Sequence, residues 1–403
     1  MGSKRRILVF GASYGSLLAV KLLGAGHAVT LVCRSATARL INEEGIRVRI
    51  PVSPVGEVVE VDSRRLPGNL SASTPSSIDF TRYDLVVLAM QEPQYCAPEL
   101  RDSLAEVARA ALPCMSIMNM PPLPYLRRVT GLRVESLRLA YTNPAVWNGF
   151  DPTLVTLCSP DPQAFRPENE RPNVLQVRLA TNFKTARFAS ETHNAMLIGL
   201  QNDVEAARFP IADRAIALPV KLKVHDSLFV PFAKWAMLLT GNYRCIQKHG
   251  MRSIAAAVHE DAATARTVYE WATQVCKRLG AEDEDLVAFD KYAGAASSLT
   301  APSSAARALA AGAVHIERVD RLVQAVAADL GMRSAEVDRT VDLVDAWLTS
   351  NRRASRRCAQ APAAASVSTR PISSSAVAAI PSAQVGASFG PRARISRPFS
   401  STK

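Results

Sequence analysis

The chain contains no window of apolar residues near the roughly 18 to 20 that a membrane span needs, and the apolar run behind its basic start, Ile7 to Phe10, is too short for a secretory signal core. Membrane insertion and export are not expected, and a cytoplasmic location is. It also lacks any Cys-x-x-Cys pair: the seven cysteines (Cys33, Cys96, Cys114, Cys158, Cys245, Cys276 and Cys358) are scattered and odd in number. That argues against a zinc ribbon or a disulfide framework and for a reducing compartment. The histidines fall at no metal-ligand spacing, and His259-Glu260-Asp261 reads as a solvated helix face; no metal is expected. Acidic residues are missing after Leu348, and nine of the net twelve positive charges lie in residues 351–403. Only three remain for the rest of the chain, so the basic balance does not call for a nucleic-acid partner.

What is present suits a globular protein of two domains: 403 residues, of which 48% are hydrophobic and 21% charged. Ile7-Leu8-Val9-Phe10 is a continuous apolar run that stops at Gly11, and a helical pattern follows from about Gly15 to Leu23. Ala28 to Cys33 is a second apolar strand, ending at Arg34. Together they make a βαβ unit with a buried parallel strand pair. Further strands are expected at Ile46–Ile50, Val58–Val61, Leu85–Ala89 and Met115–Met118, with a helix over Ala97–Ala111. Strands alternating with helices imply a parallel sheet covered on both faces. The stretch from about Pro121 to Leu218 mixes proline, asparagine and short apolar runs, and only a strand at Val174–Leu179 and a helix at Ala189–Ala207 stand out. From residue 227 to 347 the pattern is helical. The expected fold is α/β: a Rossmann-type doubly wound parallel sheet (residues 1–222) followed by an all-helical C-terminal domain (223–348). The Ala/Ser/Pro/Arg-rich remainder, 349–403, has too little apolar surface to offset the entropy of ordering.

Gly11-Ala12-Ser13-Tyr14-Gly15-Ser16 occupies the strand-to-helix turn where a dinucleotide fingerprint belongs. Ser13 and Ser16 stand where the second and third glycines of G-x-G-x-x-G would be, and Gly15 comes one place early. The stretch reads either as a phosphate cradle facing a helix N-terminus or as a plain turn that uses glycine for geometry. The end of the next strand favours the cradle. A carboxylate there would hold the ribose 2′-hydroxyl of NAD, but the chain has Cys33-Arg34-Ser35 and no acid until Glu43. A guanidinium suits the 2′-phosphate of NADP.

Ile7 to Val48, with Gly26-His27 after the first helix and Arg34 after the second strand, resembles the opening of the ketopantoate reductase family. Tyr83-Asp84 before Leu85–Met90, Ser116–Asn119, Phe232-Ala233-Lys234-Trp235 with Asn242, and Pro302-Ser303-Ser304 through Asp320 follow in the family's order. The resemblance covers most of residues 6–347, least well 120–220. It implies an interdomain cleft in which NADPH delivers hydride to the carbonyl of a 2-keto acid or related small carbonyl compound. Lys234 matches the lysine that polarises the carbonyl and protonates the nascent alkoxide. Gln91 and Asn119 would border the cofactor, and Asn242 and Ser303 the substrate. The sequence departs from the pattern at Leu238, where an asparagine is usual, at Met120, and at the family's substrate-binding glutamate: ungapped counting reaches His315, with Glu317 two residues on. His315 reads equally as a catalytic group or as a packed helix-end histidine. These departures put ketopantoate itself in doubt as substrate. An opine-type dehydrogenase reducing an imine and a non-catalytic NADPH-binding protein are the rival readings, and a homodimer is compatible with the resemblance.

Overall fold

The computed structural model describes residues 4–52, 57–211 and 214–360. Strands β1 (Arg6–Phe10), β2 (Ala28–Val32), β3 (Arg47–Pro51), β4 (Val58–Asp62), β5 (Asn69–Ser73), β6 (Leu85–Leu88), β7 (Cys114–Ile117), β8 (Val155–Ser159), β9 (Gln163–Phe165), β10 (Val174–Leu179), β11 (Phe183–Ala186), β12 (Phe209–Ile211), β13 (Arg214–Ile216) and β14 (Leu222–His225) come first in the chain. They alternate with helices α1 (Gly15–Gly24), α2 (Ser35–Glu44), α3 (Pro98–Arg109), the single turns α4 (Leu123–Leu126) and α5 (Val134–Leu137), and α6 (Glu191–Ala206). The helical half follows with α7 (Ala233–Met237), α8 (Ile254–His259), α9 (Ala262–Arg278), α10 (Phe289–Ala296), α11 (Ser304–Ala310), α12 (Val319–Asp329) and α13 (Ala335–Gln360).

The main sheet has eight strands in the order β14-β11-β8-β7-β6-β1-β2-β5. Its members from β5 to β8 are parallel, and β11 then runs antiparallel to β8. Both faces are covered, which is why β1 from Ile7 onward and the whole of β6 are apolar at successive positions rather than alternating. Leu8, Phe10, Val86 and Leu88 point into one core, and Ile7, Val9, Leu85 and Val87 into the other. The second core is closed by α1 and α6. The first runs without a break into the helical half through Trp235, Leu238, Tyr243 and Val323, so Met1–Ala359 is one compact unit. The structure thus has a mostly parallel N-terminal sheet with helices on it and a helical C-terminal region.

Two expectations need correction. Ile46–Ile50 and Val58–Val61 do form strands, but β3 and β4 pair antiparallel in a separate four-stranded sheet, β4-β3-β10-β9. Their alternation shows the reason: in β3, Val48 and Ile50 are buried while Arg47 and Arg49 are partly exposed, the mark of a sheet with one wet face. At the other end, α13 does not stop at Leu348 but continues to Gln360. Asn351 there donates to Leu309 O (2.9 Å) and Ala313 O (3.0 Å), and Arg352 to Val314 O (3.1 Å). The expected tail from 361 onward lies outside the described residues. No described helix is long and apolar enough to cross a membrane.

Candidate active site

The carboxyl ends of β1, β2, β6, β7 and β8 form one edge of the main sheet, and in open parallel sheets ligands bind at that edge. The glycine turn leaves β1 there. Gly11 has φ +107°, and a Cβ on it would lie 2.7 Å from Ala89 O and from Met90 Cγ; one on Gly15 would lie 2.7 Å from Val9 Cγ1. Both glycines therefore let α1 start hard against the sheet. Ala12 is buried, Tyr14 is half-buried, and Ser13 is exposed at the crest of the turn. The turn also lies against the end of β2, because Gly11 N donates to Val32 O at 3.0 Å. Arg34, which caps the start of α2, is exposed. An open, glycine-backed turn with a guanidinium one strand away fits a dinucleotide's phosphates.

Further along the same edge, Gln91 and Asn119 follow β6 and β7. They form one wall of a narrow cleft of about 30 Å³, whose other walls come from the helical half: Leu238, Asn242, Tyr243, Ser304 and Glu317. Leu238–Tyr243 is a π-helical turn continuing α7, and such turns widen a helix. Asn242 lies within it and reaches the cleft.

Glu317 is the chemical centre of this cleft. Its Oε2 accepts from Asn119 Nδ2 (3.2 Å) and its Oε1 from the Glu92 backbone N–H (3.3 Å), so one carboxyl joins the two halves of the molecule. It is 7% exposed. Burial pushes its pKa from 4.5 to about 7, against the pull of the Asn119 hydrogen bond. Glu92, buried and bonded to Thr142 N (3.0 Å) and Oγ1 (2.8 Å), is likewise raised by burial. The segment carrying Glu317 is held on both sides. Tyr243 Oη donates to Glu317 O (2.5 Å) and accepts from Val319 N (3.0 Å), while Arg318 pairs with buried Asp320 (2.9 Å) and with Asp345 (2.5 Å).

The other residues marked in the sequence are distributed differently. Lys234 does not reach the wall of this cleft. Its ammonium, 17% exposed, pairs with Asp161 (3.3 Å) just past the carboxyl end of β8, the strand next to the one that carries Asn119. Burial drives the Asp161 carboxyl up, but Lys234, Ser159 Oγ (2.5 Å) and Lys184 (3.6 Å) together bring it below the usual value. Ser303 is occupied as the cap of α11: its Oγ accepts from Ala306 N (3.1 Å) and donates to Asn242 O (2.7 Å), and Ser304 faces the cleft in its place. His315 is exposed and does not line the cleft, whereas Glu317 does. Sequence reasoning noted Glu317 without choosing it, and it passed over Glu92, Asp161 and Tyr243. For those three no motif gives a signal, because their roles come from loops that meet only in the fold.

The first strand, the turn and the succeeding elements decide the relationship. Residues 7–110 match the family model described as ketopantoate reductase PanE/ApbA. The chain carries a ketopantoate reductase family domain. Solved structures extend the likeness of fold beyond that domain. A D-mandelate dehydrogenase solved with NADH and anilino(oxo)acetate superposes with TM-score 0.57 at 14% identity, over 86% of this chain and 99% of that one. A PanE/ApbA family ketopantoate reductase from Ralstonia eutropha gives TM-score 0.55 at 16% identity over 86% and 99%. A dimeric ketopantoate reductase from Staphylococcus aureus gives 0.52 at 11% over 86% and 99%. No curated protein is matched by the chain.

Proposed function

We propose that the chain is an NADPH-dependent reductase of a 2-keto acid or a related small carbonyl compound. The observation that carries this reading is the cleft in which Asn119, just past β7, and Glu317 of the helical half share a hydrogen bond. The glycine turn of residues 11–15 and Arg34 would hold the cofactor, with Gln91 and Asn119 beside its reactive end. When bound, the nicotinamide supplies a hydride for the carbonyl carbon. The protein's part is to orient the carbonyl and to place a proton where the oxygen becomes basic. Asn242 and Glu317 would fix the substrate from the helical side, with Glu317 accepting from a hydroxyl or, protonated, donating to the oxygen. Lys234 would give its Nζ proton to the developing alkoxide and regain one from solvent. Asp161 orients that ammonium, and an ammonium aimed at developing negative charge stabilises the transition state more than the ground state. The fold neighbours that hold NADH and anilino(oxo)acetate, or are called ketopantoate reductases, support the reaction class. The dimeric one supports a homodimer.

A non-catalytic NADPH-binding protein is the second reading, favoured by the Lys234–Asp161 pair lying off the cleft wall. Following NADPH absorbance across a panel of 2-keto acids separates the two. On the proposed reading Lys234→Ala lowers kcat at least about a hundredfold while NADPH affinity is little changed. Turnover by the variant at the wild-type rate removes Lys234 from the chemistry. NADPH binding with no substrate turned over by the intact protein favours the second reading.

A further inference from the structure

The segment that leaves β8 crosses directly over the glycine turn. Tyr14 Oη donates to Pro162 O (2.7 Å), and the Tyr14 ring meets Phe183 edge-on at 5.9 Å. Three residues of β9, the edge strand of the second sheet, then deliver Arg166. Its Nη2 donates to Ala12 O at 3.0 Å, a carbonyl that also accepts from Ser16 Oγ at 2.7 Å. The Ala12 carbonyl lies next to the end of β2, because Gly11 N donates to Val32 O (3.0 Å), so the guanidinium is held near Cys33 and Arg34, whose charges it feels. Burial holds its pKa below the ordinary value, the Cys33 thiol works against that, and the Arg34 charge adds to it.

Two guanidiniums are thus gathered at the end of β2, and among the described residues neither forms an ion pair with a carboxylate. Other arginines nearby do: Arg49 pairs with Glu60 and Glu170 (both 2.8 Å), Arg64 with Asp62 (3.0 Å), and Arg171 with Glu44. Like charges brought together without a counter-ion repel, and an anion between them turns that cost into an attraction. In a Rossmann turn the adenosine ribose lies at the end of the second strand. A guanidinium has five N–H donors, of which the bond to Ala12 takes one, so a fork remains for a phosphate.

We propose that Arg166, working with Arg34, reads the 2′-phosphate of NADPH, so that an element far from the nucleotide-binding turn in sequence sets the cofactor preference. This rests on the NADPH reading above.

Calorimetric titration tests it with four probes that require no turnover: NADPH, NADH, adenosine 2′,5′-bisphosphate and AMP. Arg166→Ala should weaken NADPH and the bisphosphate about thirtyfold, the scale of a charge-assisted hydrogen-bonded contact, and leave NADH and AMP unchanged. Arg166→Lys, which keeps the charge but not the fork, should fall between. Melting curves of both variants matching the wild type show that the turn is intact. Equal weakening within each pair of probes, or no change in any, overturns the proposal. Wild-type protein that prefers NADH, or binds neither dinucleotide, overturns the NADPH reading itself, a result visible before any variant is made.

Discussion

Replacing Glu317 by glutamine should stabilise the protein in a way that depends on pH, and the size follows from the site. A carboxyl raised from 4.5 to about 7 by burial is held protonated in the folded state over a range where the unfolded chain has already released the proton. The folded state then binds more protons than the unfolded one, so stability falls as pH rises through that window. It is unaffected below about 4.5 and has lost the full amount above about 7. At about 1.4 kcal/mol per unit the loss is about 3 kcal/mol. Glutamine cannot ionise and escapes this loss, and its carbonyl can still accept from the Glu92 backbone N–H. Asn119, which now donates to Oε2, can turn its amide to present an oxygen to the new NH₂. Urea unfolding of wild type and Glu317→Gln from pH 5 to pH 9 measures the difference. The gap should be smallest at pH 5, under about 1 kcal/mol, and widen to about 3 kcal/mol by pH 8. A gap that does not change with pH, or a variant less stable at pH 8, refutes the reasoning.

Two further outcomes are expected. Arg34→Ala should narrow the margin by which NADPH binds more tightly than NADH, as read by isothermal titration; wild-type protein with equal affinity for the two contradicts the assignment of Arg34. Cutting the chain after Leu348 should cost about 1 to 3 kcal/mol, because Asn351 leaves with two hydrogen bonds and the Leu309 and Ala313 carbonyls lose their donor. A cut after Gln360, which removes a stretch with few large apolar residues, should leave the melting temperature unchanged.

How much of this could be read from the chain depended on how local each signal was. β1, α1 and β2 were legible because a fully apolar strand, a glycine turn and a second apolar strand follow one another within 28 residues. β10 and α6 were legible from their own patterns, and the helical half from its period. The edge strand β5 was not: Asn69-Leu70-Ser71-Ala72-Ser73 alternates, but with only Leu70 and Ala72 as apolar members the signal is faint, and β2 makes it a strand by offering a parallel partner. β9 and β11 have only three and four residues, and β8 is paired by β7 and β11, which lie well apart from it in the chain. In the site, Gln91, Asn119 and Asn242, distant in the chain, line one cleft. The choice between His315 and Glu317 could not be made by counting. It depends on how the chain enters α12, where the Tyr243 hydroxyl and the Arg318–Asp320 pair turn residue 317 inward and leave 315 outside. Ser303 was visible, but its role as a helix cap shows only in its bonds.

The proposed reaction is hydride transfer from NADPH to a carbonyl carbon at this cleft. It is tested most directly by incubating the protein with NADPH deuterated at the transferable position and a panel of 2-keto acids, then analysing the products by mass spectrometry. The expected product is a 2-hydroxy acid carrying a single deuterium at C2, formed only with protein present. NADPH that binds but leaves every keto acid unreduced, or a hydroxy acid without the label, contradicts it.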